Sequence, residues 1–148
     1  MSIKKIHVIG TVHSEGGACT TQELIKVIQT ISPDIIFCEA PYQIFPAMLN
    51  AIDKFNTPEI NALRSIIKNH SIDIVPMDLY DDPFDGRLEE MQELFRSKIA
   101  EYFYATEIHA GETYRLGFSY LNSKDSDRIL QDKSSMEKMF VARAEKKN

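Results

Sequence analysis

Between Ile6 and Glu39 the chain alternates a β-branched apolar run, an amphipathic stretch and a second apolar run, and that order leaves few folds open. Ile6 to Val12, interrupted by Gly10, passes into Ser14-Glu15-Gly16-Gly17, the pattern of a buried strand entering a flexible loop. From Thr20 or Thr21 to Ile31, the residues Leu24, Ile25, Val27, Ile28 and Ile31 recur at helical spacing. Thr20 stands as N-cap, and Glu23 three residues later completes a capping-box pattern. Ser32-Pro33 ends that helix, and Asp34 to Glu39 follows as an apolar run closed by an acid, as expected of a strand covered on both faces. Strand, helix and strand within about 35 residues make a βαβ unit, whose right-handed crossover sets the two strands parallel in one sheet.

The pattern then repeats. Pro58 opens a helical stretch with Ile60, Leu63, Ile66 and Ile67 on one face, and Ile72 to Asp78 reads as a third strand. Between them, Pro41 to Asn56 predicts a short helix carrying Ile44, Phe45, Met48, Leu49 and Ile52. Beyond Pro83, Leu88, Met91, Phe95, Ile99 and Tyr102 trace a long amphipathic helix, and Met136, Met139 and Phe140 mark a last one. The expected fold is α/β: a small parallel sheet of about three strands built from βα units over about 1–80, with a helical half over about 84–145. At 148 residues, with 43% hydrophobic and 26% charged, the chain suits one domain able to bury a core.

A net charge of −5 offers no electrostatic footprint for nucleic acid or an anionic membrane. No apolar run is long enough for a signal peptide or a membrane span. Cys19 and Cys38 form neither a disulfide framework nor a zinc knuckle, so a reducing cytoplasmic setting is expected.

In an open parallel sheet, ligands bind where the strands end. The three predicted strands end at His13, Glu39 and Asp78, each directly after an apolar run. One imidazole and two carboxylates from successive βα units, with Glu15 nearby, suit a divalent cation such as zinc, manganese or cobalt, or a general acid–base pair. Asp78 serves equally well as the cap of the turn Leu79-Tyr80-Asp81-Asp82-Pro83, and Glu15 reads as easily as a solvated loop acid. Neither glycine-rich phosphate-loop pattern occurs, and no Gly-x-Ser-x-Gly elbow is present. His7 and His70 read as structural. His109 and Glu112 share the i, i+3 spacing of metal-binding helices but read as a surface contact. Cys38 reads as a small core residue, whereas Cys19, just ahead of a helix N-terminus, is the more reactive thiol.

Gly10-Thr11-Val12-His13, the following helix, and Ser32-Pro33-Asp34 leading to Glu39 together resemble the start of the TraB/PrgY proteins. These belong to a wider superfamily with the Tiki proteases, the ChaN haem-binding lipoproteins and the erythromycin esterases. The resemblance covers about the first 80 residues and rests on a Gly-x-x-His motif followed by Pro-Asp and a strand ending in Glu. It implies an α/β fold with a polar, often metal-binding crevice, and for Tiki-like members a metal-dependent peptidase activity. His13 and Glu39 carry over as site residues, with Asp78 beside them. The second Gly-x-x-His usual late in that family is absent: the late histidine, His109, follows Thr106-Glu107-Ile108.

The expectation is therefore a metal-dependent hydrolase of peptidase or esterase type, acting through His13, Glu39 and Glu15, with His13, Glu39 and Asp78 as metal ligands. The alternative is a non-catalytic TraB-like module that binds a small molecule or peptide in the same crevice. A third reading is a helical interaction domain that forms a homo-oligomer through residues such as Met91, Phe95 and Tyr102.

Overall fold

The computed structural model describes residues 5–69, 72–78 and 87–146, the side chains of 69, 87 and 88 excepted. His70 and the turn after Asp78 lie outside these residues. The chain divides into two compact units, Met1–Asp81 and Asp82–Asn148.

In the first unit, α1 (Thr21–Ile31) starts where the capping pattern places it: the Thr20 hydroxyl accepts from the Glu23 amide at 3.2 Å. Only half of the expected box forms, because the Glu23 carboxylate takes Lys26 at 2.6 Å instead of reaching back. The helix ends at Ser32, held at φ 50° in the left-handed region. β1 (Ile35–Pro41) follows, then α2 (Phe45–Asn50), α3 (Pro58–Asn69) and β2 (Asp73–Asp78). β1 and β2 pair in parallel, with Ile35 opposite Asp73 and Cys38 opposite Pro76; the register then slips, so that Pro41 faces Asp78.

The described sheet thus has two strands where three were expected. Ile6 to Val12 is not a strand, and Ile6 and Val8 are 91% and 90% exposed. The physical reason lies in tertiary bonds that local apolar patterning does not encode. Thr11 and His13 are drawn to Glu59 in the first turn of α3, which fixes the end of this segment against a helix rather than along a strand.

Alternation along the strands gives the sheet two different faces. Ile36, Cys38 and Ile74 pack against a core of Ala40, Phe45, Ile60 and Leu63, joined by Met48, Leu49 and Phe55. Burying each large aliphatic or aromatic side chain there contributes about 1.5–3 kcal/mol. Pro58 takes the first helical position of α3, as expected, while Ile67 of the predicted apolar face is exposed. Arg64 of α3 closes the end of α2: its guanidinium donates to the carbonyls of Met48, Leu49 and Ala51 at 2.5 to 3.3 Å. These are carbonyls a helix end otherwise leaves without partners.

The second unit is helical: α4 (Arg87–Lys98), α5 (Ala100–Leu116), α6 (Phe118–Leu121) and α7 (Lys124–Glu145). The single long helix expected from Leu88 to Tyr102 is two, because Ile99 adopts an extended conformation (φ −125°, ψ 104°) and re-aims the chain. The turn lets α4 fold back on α5, with Phe95 tilted against Tyr102 at 5.6 Å and edge-on to Phe140 at 5.7 Å. Phe95 and Tyr102 are consequently buried and are not docking residues. No described helix is long and apolar enough to cross a membrane.

Candidate functional site

His13 sits in the loop that leads into α1, with its side chain 83% exposed, and its Nδ1 lies 3.3 Å from Glu59 Oε1. The same oxygen accepts the Thr11 hydroxyl at 2.8 Å. Glu59 is the second residue of α3, where the helix dipole favours a negative charge. Its side chain is only 21% exposed, and its other oxygen, Oε2, is buried without a hydrogen-bond partner among the described residues. A half-buried carboxylate thus grips one ring nitrogen of an exposed imidazole. That contact engages Nδ1 and leaves Nε2 as the other ring nitrogen for chemistry.

Glu15, in the same loop, accepts the Thr21 amide at 2.7 Å and caps α1 beside Thr20. The hydroxyl and amide of Thr21 hold its carboxyl below the usual carboxylate range. Glu39 lies on β1, on the exposed side of the sheet with Ile35 and Phe37, at the place where the strand register slips. Asp78 is the exposed last residue of β2, across from Pro41. Among the described residues no group of three or more His, Cys, Asp or Glu side chains is placed to hold a metal ion. The structure brings His13 to Glu59 and leaves Glu15 at the start of α1.

Cys19 is buried, and burial pushes its thiol above the ordinary value, which reverses the expectation of a reactive cysteine. Desolvation outweighs the adjacent helix N-terminus. Burial likewise raises Cys38, which packs on the core as read. His109 and Glu112 do not act as a pair. His109 Nε2 lies 3.0 Å from the fully buried Ser126 hydroxyl, and Glu112 takes Arg115 at 2.5 Å. On α4, Glu89, Glu90 and Glu93 with Leu94 and Ser97 line an open depression of about 550 Å³, a solvated acidic flank rather than a site.

Glu59 and Thr11 are the residues that sequence reasoning missed. Thr57-Pro58-Glu59 is legible as a helix start with an acid in its first turn, but nothing local ties that acid to His13. Compared with known proteins, the chain matches no family model, no curated protein and no solved structure.

Proposed function

We propose that the chain is a hydrolase of peptidase or esterase type whose base is His13, oriented by Glu59. The observation that carries this reading is the 3.3 Å contact between Nδ1 and Oε1. With the proton of the neutral ring on Nδ1, the nitrogen beside the carboxylate, Nε2 holds a lone pair and takes a proton from water as its oxygen attacks an acyl carbon. The imidazolium so formed, beside the Glu59 carboxylate, returns the proton to the leaving amine or alcohol when the acyl bond breaks. The resemblance to TraB/PrgY proteins points to the same end of the fold. It also brings a cation held by His13, Glu39 and Asp78. Those three do not gather into a three-donor group, and imidazole and carboxylate carry the step in this reading.

The test is turnover of chromogenic acyl esters and quenched fluorescent peptides by the full chain, alone, with zinc, manganese or cobalt, and with a chelator. His13→Ala is expected to lose about 10²–10⁴-fold, with Glu59→Gln between it and the wild type. Activity that survives His13→Ala, or no turnover under any metal condition, removes the hydrolase reading.

The second reading, a ligand- or peptide-binding module without catalysis, draws on the open face of the sheet. Ile35, Phe37, Val75 and Met77 are all exposed there, although parallel sheets are ordinarily covered on both faces. An extended peptide adds to the edge of such a two-stranded sheet through main-chain hydrogen bonds and lays alternate side chains beside those of the exposed face. Protection of β1 amides by peptides that are never cleaved would favour it.

A further inference from the structure

Helix α5 carries apolar residues around its whole circumference, a pattern that belongs to a helix covered on every side. Tyr102 and Thr113 are buried within the second unit, yet Tyr104, Ile108 and Tyr114 are 63%, 55% and 66% exposed. Gly111 lies in the middle of this stripe, and a Cβ placed there meets nothing within 4 Å. A helix-interior glycine costs about 1 kcal/mol against alanine, and no neighbour among the described residues requires it.

We infer that this face of α5 is a homodimer contact, in which two copies cross antiparallel at Gly111. The sequence about that point is self-complementary. A two-fold axis through Gly111 brings the residue three before it, Ile108, against Tyr114 three after it in the other copy. It brings Glu107, four before, against Arg115, four after. An acid on one side and a base on the other pair only if the helices run antiparallel; the parallel arrangement sets Glu107 against Glu107 and Arg115 against Arg115. Each charge already has a partner in its own chain, Arg96 at 2.8 Å from Glu107 and Glu112 at 2.5 Å from Arg115, so the contact joins two pairs into one network. Gly111 against Gly111 permits the close approach that the flanking Ile108 and Tyr114 need to interlock. The exposed parts of Tyr104, Ile108 and Tyr114 amount to on the order of 400 Å² per copy, about half of the roughly 800 Å² that a stable interface takes from each partner, so the contact is expected to be weak and reversible.

Sedimentation velocity of the full chain over a concentration series tests this. A reversible monomer–dimer equilibrium is expected, and Gly111→Arg should weaken it by about tenfold or more. The circular-dichroism spectrum and melting temperature of that variant should match the wild type or exceed it, because the added side chain meets open space. Under oxidising conditions Gly111→Cys should cross-link to itself, whereas Ile108→Cys should not. A chain that stays monomeric up to its solubility limit overturns the proposal. So does a dimer indifferent to Gly111→Arg, or one in which Ile108→Cys cross-links as readily as Gly111→Cys.

Discussion

The interiors of the two units are held together by different chemistry. In the first, Ala40, Phe45, Ile60 and Leu63 form an apolar core, and the polar bonds sit at helix ends: Thr20 at the start of α1, Arg64 at the end of α2, Glu59 at the start of α3. In the second, polar groups reach into the packing itself. The Tyr102 hydroxyl donates to Glu137 at 2.8 Å, Lys133 lies 4.8 Å over the Tyr102 ring, and His109 meets the buried Ser126. Burial and the Glu137 carboxylate push the Tyr102 phenol up to about 12. An apolar core is indifferent to pH, whereas one threaded with an imidazole and an ammonium is not. The contrast places the acid sensitivity of a core in the helical unit, while that of the first unit sits at a helix end, where Glu15 meets Thr21.

Arg64 is where the first unit is most exposed to a single change. Its guanidinium holds three carbonyls at the C-terminal end of α2 as well as the Asn61 side chain. Arg64→Met keeps the apolar stem and removes every donor, so about 2–4 kcal/mol should be lost, as charge-assisted hydrogen bonds contribute about 1.5–3 each before partial replacement by water. Urea unfolding measures it, and hydrogen exchange should show α2 opening first. A loss under about 0.5 kcal/mol, within the range of ordinary surface substitutions, would mean that the apolar contacts of Phe45 and Met48 hold α2 unaided.

How far this contrast was legible depends on the range of each interaction. Helix α1, the parallel pair β1 and β2, and the Pro58 start of α3 follow from periodicity and caps, which act over a few residues. The sheet face was misread because a continuous apolar run such as Ile35 to Cys38 fits a strand covered on two sides, while only Ile36 and Cys38 reach the core. The bonds that define the candidate site and the helical core span 48 residues from Thr11 to Glu59 and 35 from Tyr102 to Glu137. No periodicity reports those. Ile99 escaped for another reason: its apolar side chain continues the pattern of Phe95 and Tyr102 across the very residue where the backbone leaves the helix. Asp78 ends β2 as its apolar run predicts, whereas β1 continues past Glu39 to Pro41, because the sequence carries no sign of the register slip beside Glu39.

Acid titration of the second unit sharpens the comparison. Burial, with the Lys133 charge adding to it, holds the His109 imidazole below its ordinary value, and Tyr120 covers the ring at 5.6 Å. The folded state therefore keeps His109 neutral while the unfolded chain takes up its proton near about 6.5. Where the unfolded state binds more protons, stability rises with pH. The contribution is fully present above the ordinary histidine value and declines as pH falls below it toward the lower folded value. Thermal midpoints followed through α5 and α7 should drop over that window, and His109→Gln should flatten the drop. An equal fall in the variant would assign the acid sensitivity to groups other than His109.

The smallest effect concerns how each unit ends a helix. After α5 the chain turns at Gly117, with φ 65° and ψ −146°, a conformation that only glycine adopts without strain. After α1 the same problem falls to Ser32, at φ 50° and ψ 61°, whose amide still bonds to the Ile28 carbonyl. A left-handed residue with a Cβ costs about 1–2 kcal/mol, and Pro33 behind it already disfavours the right-handed alternative. Ser32→Gly removes that strain but gives the unfolded chain more freedom, so the net gain should be about 0.5–1 kcal/mol. Urea midpoints of the variant and wild type resolve such a difference. If Ser32→Gly is neutral or destabilising, the hydroxyl or the stiffness of Ser32-Pro33 compensates for the left-handed turn, and the two helix ends are equivalent solutions rather than a relaxed one and a strained one.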